Sequence, residues 1–402
     1  MLNRANPGAV ARRGIQAAGV VFGGALLIGL TLVSFPASSS YLKSLHGFSD
    51  QQYGSIFLPQ LVFAILGALG SAAVVKRLSL KAMYLGALIS FAFSQAGLGL
   101  SPYLDGTSAL WAVMTGTALF GFGFGFGGGP LNGIVSLLYP ARTGSALTLL
   151  HMMAGLGLTV GPVLFAAAIG AGRWVLVPAA LCLLALAQFA LTCSITLPGQ
   201  VDSNVEVSTS GSPARSGYFW VMMLIAVLYA LSEGTLANWC VIYLQEVKEI
   251  SAGTAATALA VFWAGITAGR LLASLIVSRA GPFLLWLSLP PLMVLAFLVI
   301  PHIDSSNAAL AAFGFAGLAC SAFFPLLVTV ASAPFPASVS FIASMLTAAL
   351  MVGVGAGSYG IGVLKGSMSM DDIYAYSAFY PLVALVLILF SRRLLAGGTA
   401  PT

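Results

Sequence analysis

Twelve apolar runs, parted by short polar turns, take up nearly the whole chain. They cover residues 14–37, 52–75, 81–101, 108–138, 144–169, 173–196, 218–244, 254–277, 282–301, 307–331, 338–363 and 373–391. At about 1.5 Å of rise per residue, a run of about 20 residues spans a hydrocarbon core of about 30 Å. The pattern therefore predicts twelve transmembrane helices. A membrane β-barrel would instead show segments of about ten residues with apolar and polar positions alternating, a pattern this chain lacks. The first run follows Arg4, Arg12 and Arg13 as a signal peptide would, yet it exceeds the usual apolar stretch of about 7 to 15 residues and reads as the first helix.

The longest polar stretch, PGQVDSNVEVSTSGSPARSG at 198–217, separates the sixth run from the seventh. Its Ser, Gly, Pro and charge content predicts a flexible linker between a bundle of six helices at 1–197 and a second at 218–402. The halves echo each other at a spacing of about 200 residues. Lys76 and Arg77 follow the second run and Arg279 follows the eighth; FGFGFGFGGGP ends at Pro130 in the fourth and FGFAGLACSAFFP at Pro325 in the tenth. Duplicated transporter folds have this weak internal symmetry, with substrate near the midplane between repeats.

Composition agrees: 59% of the 402 residues are hydrophobic and only 6% charged, against about 25% charged in soluble domains. The net charge of +6 reports topology and calls for no nucleic-acid partner. One side of the predicted membrane carries Arg4, Arg12, Arg13, Lys76, Arg77, Lys81, Arg142, Arg215, Arg270, Arg279, Arg392 and Arg393, and the other only Lys43, Arg173, Lys248 and Lys365. Basic residues stay on the cytoplasmic side, so both termini are expected in the cytoplasm. The four cysteines show no CxxC spacing and no histidine cluster, so neither a metal site nor a cofactor is expected.

Of ten acidic residues, only Glu233, in LYALSEGTLANWCVIYL, falls deep within a run. The others, including Asp50, Glu246 and Asp371, fall in loops or at helix ends. A charge at bilayer depth costs at least about 2.5 kcal/mol, so Glu233 is a candidate for proton coupling or substrate binding, with a structural hydrogen bond as its alternative. Tyr229 lies one turn away on the same face. Asn238 and Trp239 join that face only if Gly234 loosens the helix, and Trp239 could otherwise belong to an interfacial aromatic belt. His151, in the fifth run, is a second candidate proton carrier. Asn132 and Gln60 need polar partners in hydrocarbon and are candidate cavity residues, with Trp263, Phe323 and Phe324 as candidate cavity wall. Arg270, Arg279, Lys76 and Arg77 are expected at cytoplasmic gates or helix ends. The glycines of FGFGFGFGGG lack the following Lys-Ser/Thr of a phosphate loop and predict close helix packing instead.

Twelve spans, the 6+6 division and the polar central loop resemble the major facilitator superfamily over the whole chain. In the fifth run, Gly157, Gly161 and Pro162 resemble its GxxxGP pattern, and KRLSLK after Gly67 and Gly70 resembles its loop after the second helix, without the usual Asp. The superfamily's frequent fourth-helix Arg is also absent. LLHMMAGLG and SEGTLANW are similar to the fucose permease group of sugar:proton symporters, although the acids of that group's first and fourth helices have no counterpart here.

The resemblance implies an alternating-access secondary transporter, monomeric and multi-pass, in the cell membrane, or the inner membrane of a bacterium. Its expected partners are the lipid bilayer, protons and a small polar solute, a monosaccharide first. A proton-driven exporter of amphipathic compounds is the alternative, and a non-transporting sensor or scaffold a second. An enzyme is not expected: no HExxH and no second intramembrane acid accompany Glu233. No ring of charges suggests a channel.

Overall fold

The computed structural model describes residues 7–75, 77–198 and 213–397, so most of the expected linker at 198–217 lies outside the described residues. Those residues are helical, without a strand. The first part comprises α1 (Pro7–Ala37), α2 (Ser39–His46), α3 (Asp50–Ser55), α4 (Phe57–Val74), α5 (Leu80–Leu100), α6 (Gly106–Leu138), α7 (Thr143–Gly170) and α8 (Leu176–Ser194). The second comprises α9 (Gly217–Asn238), α10 (Cys240–Ile242), α11 (Ala252–Ala280), α12 (Pro282–Val299), α13 (Ser306–Cys320), α14 (Phe323–Ser332), α15 (Val339–Leu364), α16 (Met370–Ser377) and α17 (Phe379–Gly397). Among the described residues, twelve stretches are long and apolar enough to cross a membrane, as the apolar runs predict.

Two compact units differ from the expected halves in one respect. Residues 36–61 pack with 206–402, while 1–35 and 62–205 form the other unit. Small residues explain the attachment. A Cβ at Gly362 of α15 would stand 2.5 Å from Asp50 O, and one at Gly54 of α3 would stand 2.5 Å from Ser358 O, so only glycine lets these helices touch.

Within the first unit, Gly29 of α1 sits on the Ala154 carbonyl of α7, and Gly157 of α7 on Leu26 of α1. In α6 the glycine run serves two neighbours, Gly123 and Gly127 meeting α5 at Phe91 and Ala87, and Gly125 meeting α4 at Ala64. Backbones that close are held by van der Waals contact, since lipid offers no hydrophobic drive between helices. Polar side chains tie the unit further: Tyr84 Oη and Gln188 Nε2 donate to Val20 O at 3.1 and 2.8 Å. Lys81 Nζ donates to Cys193 O and Ile195 O at 3.0 and 2.6 Å, serving carbonyls that α8 leaves open at its C-terminus. Lys81→Met is expected to cost about 1 kcal/mol and lower the melting temperature in micelles by a few degrees.

The second unit repeats these crossings. Gly353 of α15 meets Val227 of α9, and Gly317 of α13 meets Phe262 of α11. The α1·α7 and α9·α15 contacts, like α4·α6 and α11·α13, recur at the spacing of about 200 residues seen in the sequence. One difference stands out chemically. The first unit's α6 runs unbroken through Pro130, whereas the corresponding run in the second unit splits at Ser321 and Ala322 into α13 and α14.

Candidate functional site

The split between α13 and α14 gathers the polar groups of the second unit. Pro325 has no N–H, so the Ser321 carbonyl, its α-helical acceptor, loses that partner. Arg270 Nε of α11 donates to it at 3.1 Å. One residue earlier, Cys320 O lies 3.1 Å from the Tyr229 hydroxyl of α9. The same hydroxyl donates to Glu233 Oε2, one turn along α9. Arg270 is within electrostatic reach of Glu233, which is partly exposed. Phe323 stacks flat on Tyr229 with ring centroids 4.7 Å apart, Phe324 lies 6.5 Å away, and Trp286 of α12 backs Phe323 at 5.6 Å. Glu233 thus has a phenol bonded to it and a guanidinium within electrostatic reach, with an aromatic wall against the phenol, on four helices of one unit.

Other expected residues lie elsewhere. α9 continues unbroken to Asn238, so Gly234 does not loosen it; a Cβ there would stand 3.3 Å from Val354 Cα, and its glycine serves packing on α15. The helix changes direction only at Trp239 and continues as α10 and a π-helical turn at Tyr243–Val247. Asn238 consequently leaves the Glu233 face and donates from Nδ2 to Ser358 Oγ at 2.8 Å. Trp239 is fully buried, edge-on to Tyr53 at 5.2 Å, which excludes the interfacial-belt reading. Trp263 is buried, with no partner for its indole N–H among the described residues.

Gln60, in α4, is buried and belongs with residues 36–61. His151 in α7 and Asn132 in α6 belong to the first unit; Asn132 Nδ2 donates to Gly128 O of its own helix at 2.9 Å. Arg77 and Arg279 are exposed at or near helix ends, and Lys76 lies outside the described residues. Arg270 is a correction: it stands ten residues before the end of α11 and serves the α13/α14 split, because Pro325 leaves a carbonyl there for it.

The sequence reading missed a four-charge cluster in the second unit. Lys43 Nζ lies 2.5 Å from Asp50 and 2.7 Å from Glu246, and Lys365 Nζ lies 2.9 Å from Asp50 and 2.6 Å from Glu246. Each lysine bridges both acids. Burial would pull the Lys365 ammonium down, but its bonds to Glu246 and Asp50 outweigh that and hold it above its usual range. Its contribution is therefore complete below a lysine's ordinary value of about 10.4 and is lost only as pH rises through the raised value. Nearby, Lys248 pairs with Asp371 at 2.8 Å, and Tyr243 Oη donates to the same carboxylate at 2.5 Å. A signal was present: Lys43, Lys248 and Lys365 are three of the four basic residues on the sparsely charged side, and all three are paired. Glu246→Gln leaves two ammonium groups sharing one carboxylate and is expected to cost about 2 kcal/mol, read as a lower melting midpoint. An unchanged midpoint would show the cluster to be energetically idle.

A family model for the Major Facilitator Superfamily matches residues 20–358. An uncharacterised MFS-type transporter of Yersinia pestis is 27% identical over 186 residues, which cover 44% of this chain and 47% of that protein. Among solved structures, a bacterial homologue of the human lysosomal transporter Spinster, inward-facing and occupied, aligns with a TM-score of 0.75 at 17% identity, over 97% of this chain and 99% of that one. A D-xylose-proton symporter aligns with a TM-score of 0.74 at 17% identity, over 94% and 97%. These likenesses establish the fold. With its twelve spans, its two sets of matching helix crossings and a family match over most of its length, the chain belongs to the Major Facilitator Superfamily of transporters.

Proposed function

We propose that this secondary transporter carries a small polar solute, a monosaccharide first, by alternating access coupled to protons through Glu233. The observation that carries the reading is the Glu233 carboxyl itself, at membrane depth, bonded to Tyr229 and within electrostatic reach of Arg270. Burial opposes the charge on such a carboxyl while the arginine and the phenol support it, so a change in these surroundings can move its proton. Tyr229, Phe323 and Phe324 offer aromatic faces for the C–H side of a sugar ring, and the similarity of SEGTLANW to the fucose permease group points the same way. Both termini are cytoplasmic on the basic-residue asymmetry. In the first unit His151 is a second proton carrier and Asn132 a candidate solute contact, and in the second unit Gln60 and Trp263 are candidate solute contacts.

Reconstituted protein tests this directly. With an inward proton gradient, labelled monosaccharide should accumulate in vesicles, and a protonophore should collapse the accumulation. Uptake of every sugar tried that ignored the gradient would sink the symport reading. The same aromatic stack favours one second reading, export of amphipathic compounds, which the direction of proton-driven flux would reveal.

A further inference from the structure

We propose that the Tyr229 hydroxyl is a hydrogen-bond switch that carries the protonation state of Glu233 to the split between α13 and α14. This inference rests on the proposed titration of Glu233 and deepens it. A phenol has one proton to give, and the Tyr229 hydroxyl has two acceptors in reach: Glu233 Oε2 along its own helix and Cys320 O at 3.1 Å across the helix pair. It can serve only one at a time.

With Glu233 ionised, the carboxylate accepts only, and the charge-assisted bond from Tyr229 is the stronger choice. Cys320 O is then left without the tyrosine proton, at the place where Pro325 has already cost Ser321 O its helical donor. When Glu233 takes up a proton, its own O–H donates to the Tyr229 oxygen, and the phenol proton turns to Cys320 O. One proton enters from water and no bond between heavy atoms changes. Glu233 as a residue is half-buried, and the switch requires that water reach its carboxyl from the open side.

The surroundings make the split responsive. Ser321 O is held by Arg270 Nε at 3.1 Å, so the guanidinium fixes one carbonyl while Tyr229 fixes or frees the one before it. Phe323, the first residue of α14, stacks parallel to the Tyr229 ring and feels any shift of that ring. The groups facing Glu233 are Tyr229 from α9, Arg270 from α11 and Cys320 from α13. α14 and α15 carry no Asp, Glu, Lys, Arg or His, and in α17 Arg392 lies over Phe283 of α12 at 4.5 Å. The first unit has no such device, because α6 crosses Pro130 without a split.

Amide hydrogen exchange over 318–326 in the full chain in nanodiscs tests the switch, compared at about pH 6 and about pH 8 after correction for intrinsic rates. In the wild type, protection should be about fivefold greater at the lower pH, the size of one hydrogen bond gained. Glu233→Gln should show the acid pattern at both values, since its amide can donate to Tyr229. Tyr229→Phe should show no response to pH, while the infrared carbonyl band of protonated Glu233, assigned by its loss in Glu233→Gln, still titrates. Exchange that keeps its pH response in Tyr229→Phe, or that never responds in the wild type although that band titrates, overturns the switch. A band that does not titrate at all overturns the coupling reading itself, and the switch with it. Should Tyr229→Phe fail to fold, Glu233→Gln still decides, because a pH response persisting in that variant contradicts the proposal.

Discussion

Glu233→Gln is expected to reduce proton-driven accumulation of the solute to equilibration, with an inside-to-outside ratio near one. The size of that loss follows from the driving force. One pH unit supplies about 1.4 kcal/mol per proton and 100 mV about 2.3 kcal/mol, together a ceiling of about 500-fold accumulation for a single proton. Glutamine keeps the shape and hydrogen-bonding reach of the side chain but cannot carry a proton across. Exchange of labelled for unlabelled solute needs no net proton movement and should survive in the variant. Measured together in vesicles, lost accumulation with retained exchange identifies coupling. Retained accumulation would reassign Glu233 to a structural bond with Tyr229, and loss of both activities would place it in solute binding alone.

Gly317→Leu is expected to prevent assembly of the second unit. Gly317 faces the Phe262 carbonyl of α11, and a Cβ there would occupy space the oxygen already holds. Gly265 makes the reverse approach to Gly314 O, so both helices use small residues at one crossing. Neither backbone can give way alone, since α13 is also packed on α12. Overpacking at well-formed contacts costs about 1–3 kcal/mol, and a clash with backbone on a glycine crossing should exceed about 4 kcal/mol, more than a marginally stable fold tolerates. The expected result is loss of monodisperse protein after extraction. Gly128→Leu is the matched control: a Cβ there meets nothing within 4 Å, and that protein should remain monodisperse.

Much of this was legible in the chain, and the parts that were not have a common cause. Run length and apolarity are local quantities, so the twelve spans and the pairing of Tyr229 with Glu233 at a separation of four follow from helical geometry alone. The two prolines, by contrast, look alike in sequence and act differently. Pro130 sits inside a continuous α6, while ahead of Pro325 the chain breaks where Tyr229 and Arg270 meet the exposed carbonyls. What decides is whether donors from other helices stand ready, and no window along the chain contains that. Gly234 shows the same limit, since its lack of a side chain could mean a flexible joint or a tight contact, and Val354 makes it the latter. The four-charge cluster joins residues up to 322 positions apart, from Lys43 to Lys365, and only tertiary packing could assemble it.

Residues 36–61 take in the end of α1 and the start of α4, whose remainders belong to the first unit, yet they are tied by charge to 206–402. Any step that carries them away from 206–402 must pull two ion pairs apart, Lys43–Glu246 and Lys365–Asp50, and the reverse step must find them again. These two passages feel salt unequally. At contact distances of 2.7 and 2.9 Å these charges lie well inside the screening length of about 8 Å at physiological ionic strength, so added salt does little to the formed cluster. Once separated beyond that length, Lys43 and Asp50 on one side and Lys365 and Glu246 on the other no longer attract across the solution. Ionic strength should therefore slow the return stroke more than it hastens departure, making the duration of one half of the cycle a property of the surrounding electrolyte.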